Sequence, residues 1–339
     1  MKFFKIACIV FVVLLSCSPT KKLLNEHKYS GLIAEATAKL AVNPKDKKAL
    51  QTLQQVYREA MFYFQVELEK INAGNDSFKW NKTLEIMLKS NDMVNKIRSN
   101  ETASKAIADL KVYSTELAET KPKAIEELLS KGKSLLKENT KEKSREAYYL
   151  FKKAFALSTD IKDINLLINN AQVAATYNVV IEPVRIDFNT LNVATKKVDK
   201  AFFYWTQRDV TSRPFVRYIT ASDADKLDVD PDFYVQVNIL DYRAEKIPTV
   251  QNANGASNLM ATGNLQIRIY SSSGQTLVFK KHLSCRYDSE TKSTISVNTI
   301  DLQRVVDPDI QTFFDNMMLS GFEKMTEEID NYFNTLVVQ

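Results

Sequence analysis

The sequence predicts an α+β protein, in which an amino-terminal helical bundle precedes a mixed α/β sheet domain closed by a long carboxy-terminal helix. Apolar residues recur every three or four positions through the first half of the 339-residue chain, as on one face of a helix. In the second half they alternate with polar residues, as in strands that bury one face. The net charge is positive over residues 28–170 and negative over 171–339, so charge and pattern change together.

The amino terminus has the organisation of a secretory signal. Lys2 and Lys5 precede an apolar run over residues 6–15, which is too short to cross a bilayer as a helix. The run ends in the letters LLSC, of which the cysteine is Cys17, and a polar stretch follows. This pattern resembles the lipobox of bacterial lipoproteins. The resemblance implies that residues 1–16 are removed as a signal peptide and that Cys17 is acylated.

Acylation of Cys17 implies attachment to a membrane. Several acyl chains anchor a protein stably, whereas one chain holds it marginally, so residues 17–28 are interpreted as a lipidated tether. Ser18 follows the cysteine instead of an aspartate. By resemblance to the sorting rule of many Gram-negative lipoproteins, this favours the outer membrane. Because no acidic cluster follows Cys17, the periplasmic face is expected, with a surface-facing orientation as the alternative.

The cysteine count predicts a mature chain without an internal disulfide. Cys8 leaves with the signal peptide and Cys17 is acylated, so Cys285 has no cysteine to pair with. Cys285 alternates with Leu283 and Tyr287 along a predicted strand. This placement favours a buried and unreactive thiol.

Residues 29–172 are predicted to form a helical domain of about seven helices. Breaks between helices are predicted at residues 43–44, 74–76, 99–100, 121–122 and 158–160. The spacing of Ala147, Phe151 and Ala154, and the pattern over residues 32–50, resemble tetratricopeptide repeats. An irregular helical bundle is the alternative, because residues 72–140 show no period of about 34 residues. Either architecture would serve contact with another protein.

Residues 177–339 are predicted to form the α/β domain. Strands are expected at 177–188, 215–219, 233–240, 265–269 and 277–287, with a helix over 190–206. Asp307 and Pro308 are placed to begin the closing helix. Its apolar seam comprises Phe314, Met318, Phe322, Met325, Ile329, Phe333 and Leu336. We expect this seam to pack on the apolar face of the sheet.

The order of these elements resembles the periplasmic α/β domain shared by the curli-secretion lipoprotein CsgG, the penicillin-binding-protein activator LpoB and the amino-terminal domain of TolB. The resemblance is one of topology and covers about residues 177–335. In CsgG this domain inserts transmembrane strands to build a pore. Here the connection over residues 244–264 is polar and lacks the alternation that a lipid-facing strand needs. It is therefore interpreted as a flexible loop, and a pore is disfavoured.

The composition of the chain disfavours a catalytic site or a cofactor-binding site. The chain has seven glycines, too widely spaced for a phosphate-binding loop. His27 and His282 lack a cysteine or carboxylate at ligand spacing. Five aspartates crowd into residues 223–232, but they do not fit the EF-hand pattern, so a solvated capping loop is expected and ion binding is the alternative. No catalytic residue, cofactor or metal site is predicted.

Together these features predict a lipid-anchored, non-enzymatic protein-interaction scaffold at the periplasmic face of the bacterial outer membrane. Its expected partners are the membrane, through acyl chains on Cys17, and another protein of the envelope. The helical half is basic, but the predicted export of the protein from the cytoplasm excludes nucleic acid as a partner. The alternative function is a ring-forming, CsgG-like assembly or export lipoprotein, which would be a homo-oligomer.

Overall fold

The structure is a computed structural model that describes residues 28–186, 202–203, 206, 214–248, 257–273, 275–288 and 310–338. Within these ranges the chain has the predicted α+β class, with helices first, a mixed sheet next and a long helix last. The chain forms two compact units. The first contains the described residues up to Lys137 together with Ala147–Ile168, and the second contains Glu138–Glu146 with the described residues from Asn169 onward.

Seven helices precede the sheet in the described part of the chain, as predicted. They are α1 (Tyr29–Val42), α2 (Lys47–Ala73), α3 (Lys79–Arg98), α4 (Glu101–Ala106), α5 (Thr115–Lys137), α6 (Lys141–Leu157) and α7 (Ile164–Ala175). Four of the five predicted breaks separate consecutive helices. Capping side chains explain where two of these helices, α2 and α4, begin. Asp46 accepts from the amides of Lys48 and Ala49, each at 3.0 Å, and Asn100 accepts from the amide of Ala103 at 2.9 Å.

The break predicted at residues 121–122 is wrong, because Pro122 lies inside α5. A proline there removes one backbone hydrogen bond and costs about 3 kcal/mol in an unsupported helix. The helix nevertheless continues, since Thr120, Ala124 and Leu128 on either side of the proline are buried. Tertiary packing therefore outweighs the local signal.

The helices of the first unit bury the apolar stripes that the sequence predicts. Leu53 and Ala60 have no exposed surface. Ala147, Phe151 and Ala154 of α6 are likewise fully buried, and the ring of Phe151 lies directly against Gly132 of α5. The tetratricopeptide assignment stays a prediction.

The second unit is built on one mixed sheet. Its elements are β1 (Tyr177–Ile181), β2 (Arg185–Ile186), β3 (Val216–Thr220), α8 (Ala221–Leu227), β4 (Phe233–Pro248), β5 (Ser257–Ser271), β6 (Thr276–Asp288) and α9 (Ile310–Val338). The strand order is β3-β1-β4-β5-β6, with β2 paired to β4. β1 runs parallel to β3 and β4, whereas β4, β5 and β6 form antiparallel pairs. Of the predicted helix over 190–206, the described residues 202, 203 and 206 are helical.

The interpretation of residues 244–264 as a flexible connection is wrong over most of its length. β4 continues to Pro248 and β5 begins at Ser257, and the two pair throughout apart from an irregularity between Ile239 and Asp241. Strand pairing uses backbone groups, so polar side chains do not prevent it. Asp241 also accepts hydrogen bonds from the amide and side chain of Asn264, at 3.0 and 2.8 Å.

Helix α9 covers one face of the sheet. Its seam is buried as predicted at Met318, Phe322, Met325, Ile329 and Phe333, together with Met317. Leu336 is partly buried, while the Phe314 side chain and the predicted cap at residues 307–308 lie outside the described residues.

The helix packs tightly on the sheet at Gly321. A Cβ atom placed there would lie 2.6 Å from Leu265 Cδ1 and 2.7 Å from Cys285 Sγ. Only a residue without a side chain fits at this distance, so Gly321 allows the close packing of helix on sheet.

Candidate functional site

The acylation site predicted from the sequence, Cys17, lies outside the described residues, as do residues 1–16, the tether up to His27, and His27 itself. The acylation of Cys17 therefore stays a prediction. In the described ranges, no helix combines the length and apolarity needed to span a membrane.

The aspartates of residues 223–232 take separate local roles. Asp223 accepts from the Thr220 hydroxyl at 2.7 Å at the start of α8, and Asp228 ends α8 in a left-handed conformation with φ of 49°. Asp232 accepts from the Asn178 amide at 2.8 Å and pairs with Lys141 at 3.2 Å. Among the described residues, no group of three potential metal-ligating side chains is found.

Cys285 and His282 lie on opposite sides of β6. Cys285 is buried under α9, 2% exposed, and burial raises the pKa of its thiol. The burial predicted from the sequence is confirmed. His282 is exposed, and its Nε2 lies 2.8 Å from Gln266 Nε2. On the same sheet face, the buried side-chain oxygens of Asn238 and Gln266 have no hydrogen-bond partner among the described residues.

A buried arginine joins α6 to the end of α9 within the second unit. Arg145 is 4% exposed, and its Nη2 donates to the carbonyl oxygen of Leu336 at 3.1 Å. That carbonyl is in the last turn of α9, where helix carbonyls lack partners within the helix. The guanidinium also lies 5.4 Å from the centre of the Tyr177 ring and 3.5 Å from Glu142. This arrangement links α6, β1 and α9 through one side chain, although the buried Arg145 Nη1 has no hydrogen-bond partner among the described residues.

The described residues of the first unit form a groove of about 480 Å³, which we call the seam groove. Helices α2 and α3 run antiparallel, since Met61 Sδ lies 3.5 Å from Ser90 Oγ and the Asn72 carbonyl accepts from Lys79 at 3.2 Å. The groove follows the seam between them. It is lined by Tyr63, Phe64, Glu67, Lys70, Ile71 and Gly74 of the α2 side, Asp76 of the loop, and Lys82, Glu85, Ile86 and Lys89 of α3.

The interior of the seam groove is apolar and aromatic. Tyr63 and Phe64 have ring centres 5.9 Å apart, and Tyr29 at the start of α1 contacts both rings. Ile71 and Ile86 are half-buried on the two walls. Exposed apolar surface of this kind, shaped as a groove, is typical of sites that receive apolar side chains of a ligand or partner.

The rim of the seam groove is charged and mostly paired. Lys70 and Glu67 form an ion pair at 2.7 Å, Lys153 and Glu85 form another at 2.6 Å, and Lys82 pairs with Asp76. The hydrogen bond from Lys82 holds the pKa of the Asp76 carboxyl below its usual range. Lys89 is exposed and has no ion-pair partner in the described ranges.

The chemistry of the seam groove is that of its apolar and charged lining. Its lining has lysines and carboxylates but no serine, cysteine or histidine, and three of those carboxylates are held in ion pairs. Sequence reasoning missed this site. The available signal was the difference in length between the first two helices, because a short helix packed against a longer pair leaves part of the seam uncovered.

Comparison with known proteins finds no matching family model and no matching curated protein. Among solved structures, there is similarity to a homologue of the neuraminyllactose-binding hemagglutinin from Helicobacter pylori, with 14% identity, 48% of this chain and 91% of that chain covered, and a TM-score of 0.33. The PelC dodecamer from Paraburkholderia phytofirmans matches at 10% identity over 33% of this chain and 73% of that one, with a TM-score of 0.23.

A lipoprotein from Neisseria meningitidis matches at 11% identity over 34% of this chain and 85% of that one, with a TM-score of 0.21. These three are bacterial proteins and one of them is a lipoprotein. At such identities and TM-scores, the likenesses assign this chain neither to a family nor to an activity.

Proposed function

We propose that this chain is a bacterial lipoprotein, anchored through acylated Cys17 at the periplasmic face of the outer membrane, that acts as a non-enzymatic scaffold for another envelope protein. The observation that carries the scaffold role is the seam groove, whose apolar interior and charged rim suit a protein segment. The anchor is supported by the lipobox pattern ending in Cys17.

The physical character of the seam groove favours a short apolar segment over a folded surface. Its volume of about 480 Å³ accommodates a few side chains, within the range of small binding sites. Tyr63 and Phe64 offer aromatic surface, which is enriched among residues that dominate binding energy. The paired charges at the rim would fix the orientation of the bound segment more than its affinity.

The anchor is tested by changing either of two cysteines near the amino terminus. Cys17→Ala removes the acylation site, and we expect the chain to leave the membrane fraction or to retain its leader. Cys8→Ala is the matched control, because Cys8 lies inside the segment that is removed. Intact-mass analysis of the wild-type chain should show acyl chains on a polypeptide that begins at residue 17. A bare Cys17 with the leader attached would overturn the anchor.

The scaffold role is tested by changing the groove without removing the unit. Ile71→Asp places a charge on the apolar wall, whereas Phe62→Asp changes a side chain on the same helix that is 72% exposed and does not line the groove. Wild type and Phe62→Asp should capture the same envelope protein from crosslinked membranes, and Ile71→Asp should lose it. Equal capture by all three, with circular dichroism showing intact helices, would contradict the scaffold role.

One observation favours the alternative of a ring-forming assembly lipoprotein. In the described part of the chain, β6 is an edge strand of 13 residues with β5 on one side only. An unpaired edge of that length is a template for pairing with another chain. Sedimentation velocity on residues 18–339 separates the two functions, since a discrete high-order oligomer is expected for a ring and a monomer or dimer for the scaffold.

A further inference from the structure

The seam groove is the uncovered continuation of a seam that α1 fills. α1 lies parallel to α3, since Ser30 donates to Asp92 at 3.1 Å and Asn100 donates to the Thr37 carbonyl at 3.1 Å. α1 has 14 residues and α2 has 27, which correspond to about 21 and 40 Å of helix. The part of the seam beyond Tyr29 therefore has no α1 residue above it, and that part is the groove.

The chain that precedes α1 must leave at the mouth of the groove. Tyr29, the first residue of α1, is 6% exposed and packs edge-on against Phe64 with ring centres 6.1 Å apart. α1 runs away from the groove, so the chain enters α1 at the end of the helix that faces the groove. Lys28 has φ of −84° and ψ of 46°, and no side chain caps the helix, so the helical path ends at this residue.

Reach and chemistry match the groove to one stretch of the tether, residues 21–26, with the sequence KKLLNE. Five extended residues from Lys28 to Leu23 span about 17 Å, and the α2 wall from Tyr63 to Gly74 is about 16 Å long. Leu23 and Leu24 are the only apolar residues between Cys17 and Lys28 other than Pro19.

The charges of this stretch also fit the rim. Glu26 would enter near Lys89, the exposed rim lysine without an ion-pair partner in the described ranges. Lys21 and Lys22 would lie beyond Gly74, at the end of the groove that carries Asp76. A helical continuation of α1 would instead turn Asn25 and Glu26 into the apolar seam, because residues three and four positions before Tyr29 share its face.

The geometry points to residues 21–26 of the same chain as the occupant of the seam groove, held there by Leu23 and Leu24. Docking shortens the tether to residues 17–20, so the protein sits close to its anchor until a competing segment displaces the leucines. Competition between residues 21–26 and a partner segment for the groove rests on the proposed function. The docking itself requires neither acylation nor a partner.

Disulfide trapping tests the docking on residues 18–339, with Cys285→Ala to remove the remaining thiol. Leu23→Cys is combined with Ile71→Cys in the groove or, as control, with Phe62→Cys on the same helix outside it. We expect the groove pair to close within one chain roughly tenfold faster than the control, because docking holds the reacting groups together. Equal rates overturn the proposal, and so does a groove pair that forms only disulfide-linked dimers.

A second measurement avoids new cysteines. Trypsin should cut after Lys21 and Lys22 slowly in wild type and several-fold faster in Ile71→Asp, while Phe62→Asp should resemble wild type. Equal cutting in all three overturns the docking. Failure of the docking and failure of the proposed function give different results. If the groove disulfide forms rapidly but intact-mass analysis finds no acyl chains on Cys17, only the anchor is wrong. If Ile71→Asp loses partner capture but the groove disulfide does not form faster than the control, only the docking of residues 21–26 is wrong.

Discussion

The ring of Phe151 packs so closely on Gly132 that a Cβ atom at position 132 would lie 2.5 Å from Phe151 Cε1. Phe151 is fully buried, so the ring cannot move aside without disturbing the packed side chains around it. Helices α5 and α6 therefore depend on the absence of a side chain at this one position.

Gly132→Ala should destabilise the protein. Inserting one methyl group into a packed contact costs about 1–3 kcal/mol, more than alanine gains over glycine in a helix. Gly31→Ala is the matched control, because nothing lies within 4 Å of a Cβ atom at that helical position, and it should be neutral or stabilising. Urea denaturation followed by circular dichroism measures both. A Gly132→Ala variant as stable as Gly31→Ala would contradict the packing argument.

Arg145→Ala should lower the free energy of unfolding by about 1–3 kcal/mol. The change leaves the Leu336 carbonyl without its buried donor and removes packing against the Tyr177 ring. Lys143→Ala, two residues away, removes an exposed pair with Glu146 and should change stability little. The urea midpoints of the two variants are the measurement, and equal midpoints would show that the buried contact contributes nothing.

Glu127→Ala should destabilise the start of α3. The Glu127 carboxylate accepts from the amides of Trp80 and Asn81, at 3.2 and 2.9 Å, and from the Asn81 side chain at 2.9 Å. Loss of a helix cap costs about 1–2 kcal/mol. Glu126→Ala is the control, since Glu126 is exposed on the next position of α5. Amide hydrogen exchange over residues 79–84 should accelerate in Glu127→Ala alone.

Glu142 should make stability depend on acid pH. A hydrogen bond with its own backbone amide, assisted by Arg145, holds the pKa of its carboxyl below the ordinary value of 4.5. A lowered pKa in the folded state gives stability that is present above pH 4.5 and is lost as the pH falls through the folded pKa. Between pH 7 and pH 3, the urea midpoint of Glu142→Gln should therefore fall less than that of wild type. An identical fall in both chains would contradict this assignment.

Cys285 should be inert towards thiol reagents in the folded protein. It is 2% exposed, and burial raises the pKa of its thiol, so both access and thiolate fraction are low. In residues 18–339 the reagent should react slowly at neutral pH and rapidly after urea unfolding. Fast reaction without urea would show that α9 opens readily from the sheet.

Much of the fold could be predicted because its signals are local and periodic. The alternation of Phe233, Val235 and Val237 gives β4, and the seam through Phe322 and Ile329 gives α9 and the face it covers. The prediction failed where packing outweighed a local signal. Pro122 stays inside α5 because its neighbours are buried, and residues 244–248 join β4 because strand pairing depends on the backbone.

The seam groove could not be predicted in the same way. It depends on where α1 begins relative to the pair formed by α2 and α3, which is a property of three helices in space. No residue of its lining has an unusual sequence context. The sequence pointed instead to Cys17, whose role depends on a short linear pattern recognised by processing enzymes and not on the fold.

The contacts of α9 with the sheet also set its axial register. Met317 lies over Gly263, where its Cε would be 2.8 Å from an added Cβ, and Gly321 lies over Leu265 and Cys285. The two contact points on α9, Met317 and Gly321, are about one helical turn apart. A shift of the helix by one residue, which combines a slide of about 1.5 Å with a rotation of about 100°, would bring Ser320 or Phe322 to the position that tolerates no side chain. The helix therefore has no neighbouring site on the sheet into which it can slip by one residue.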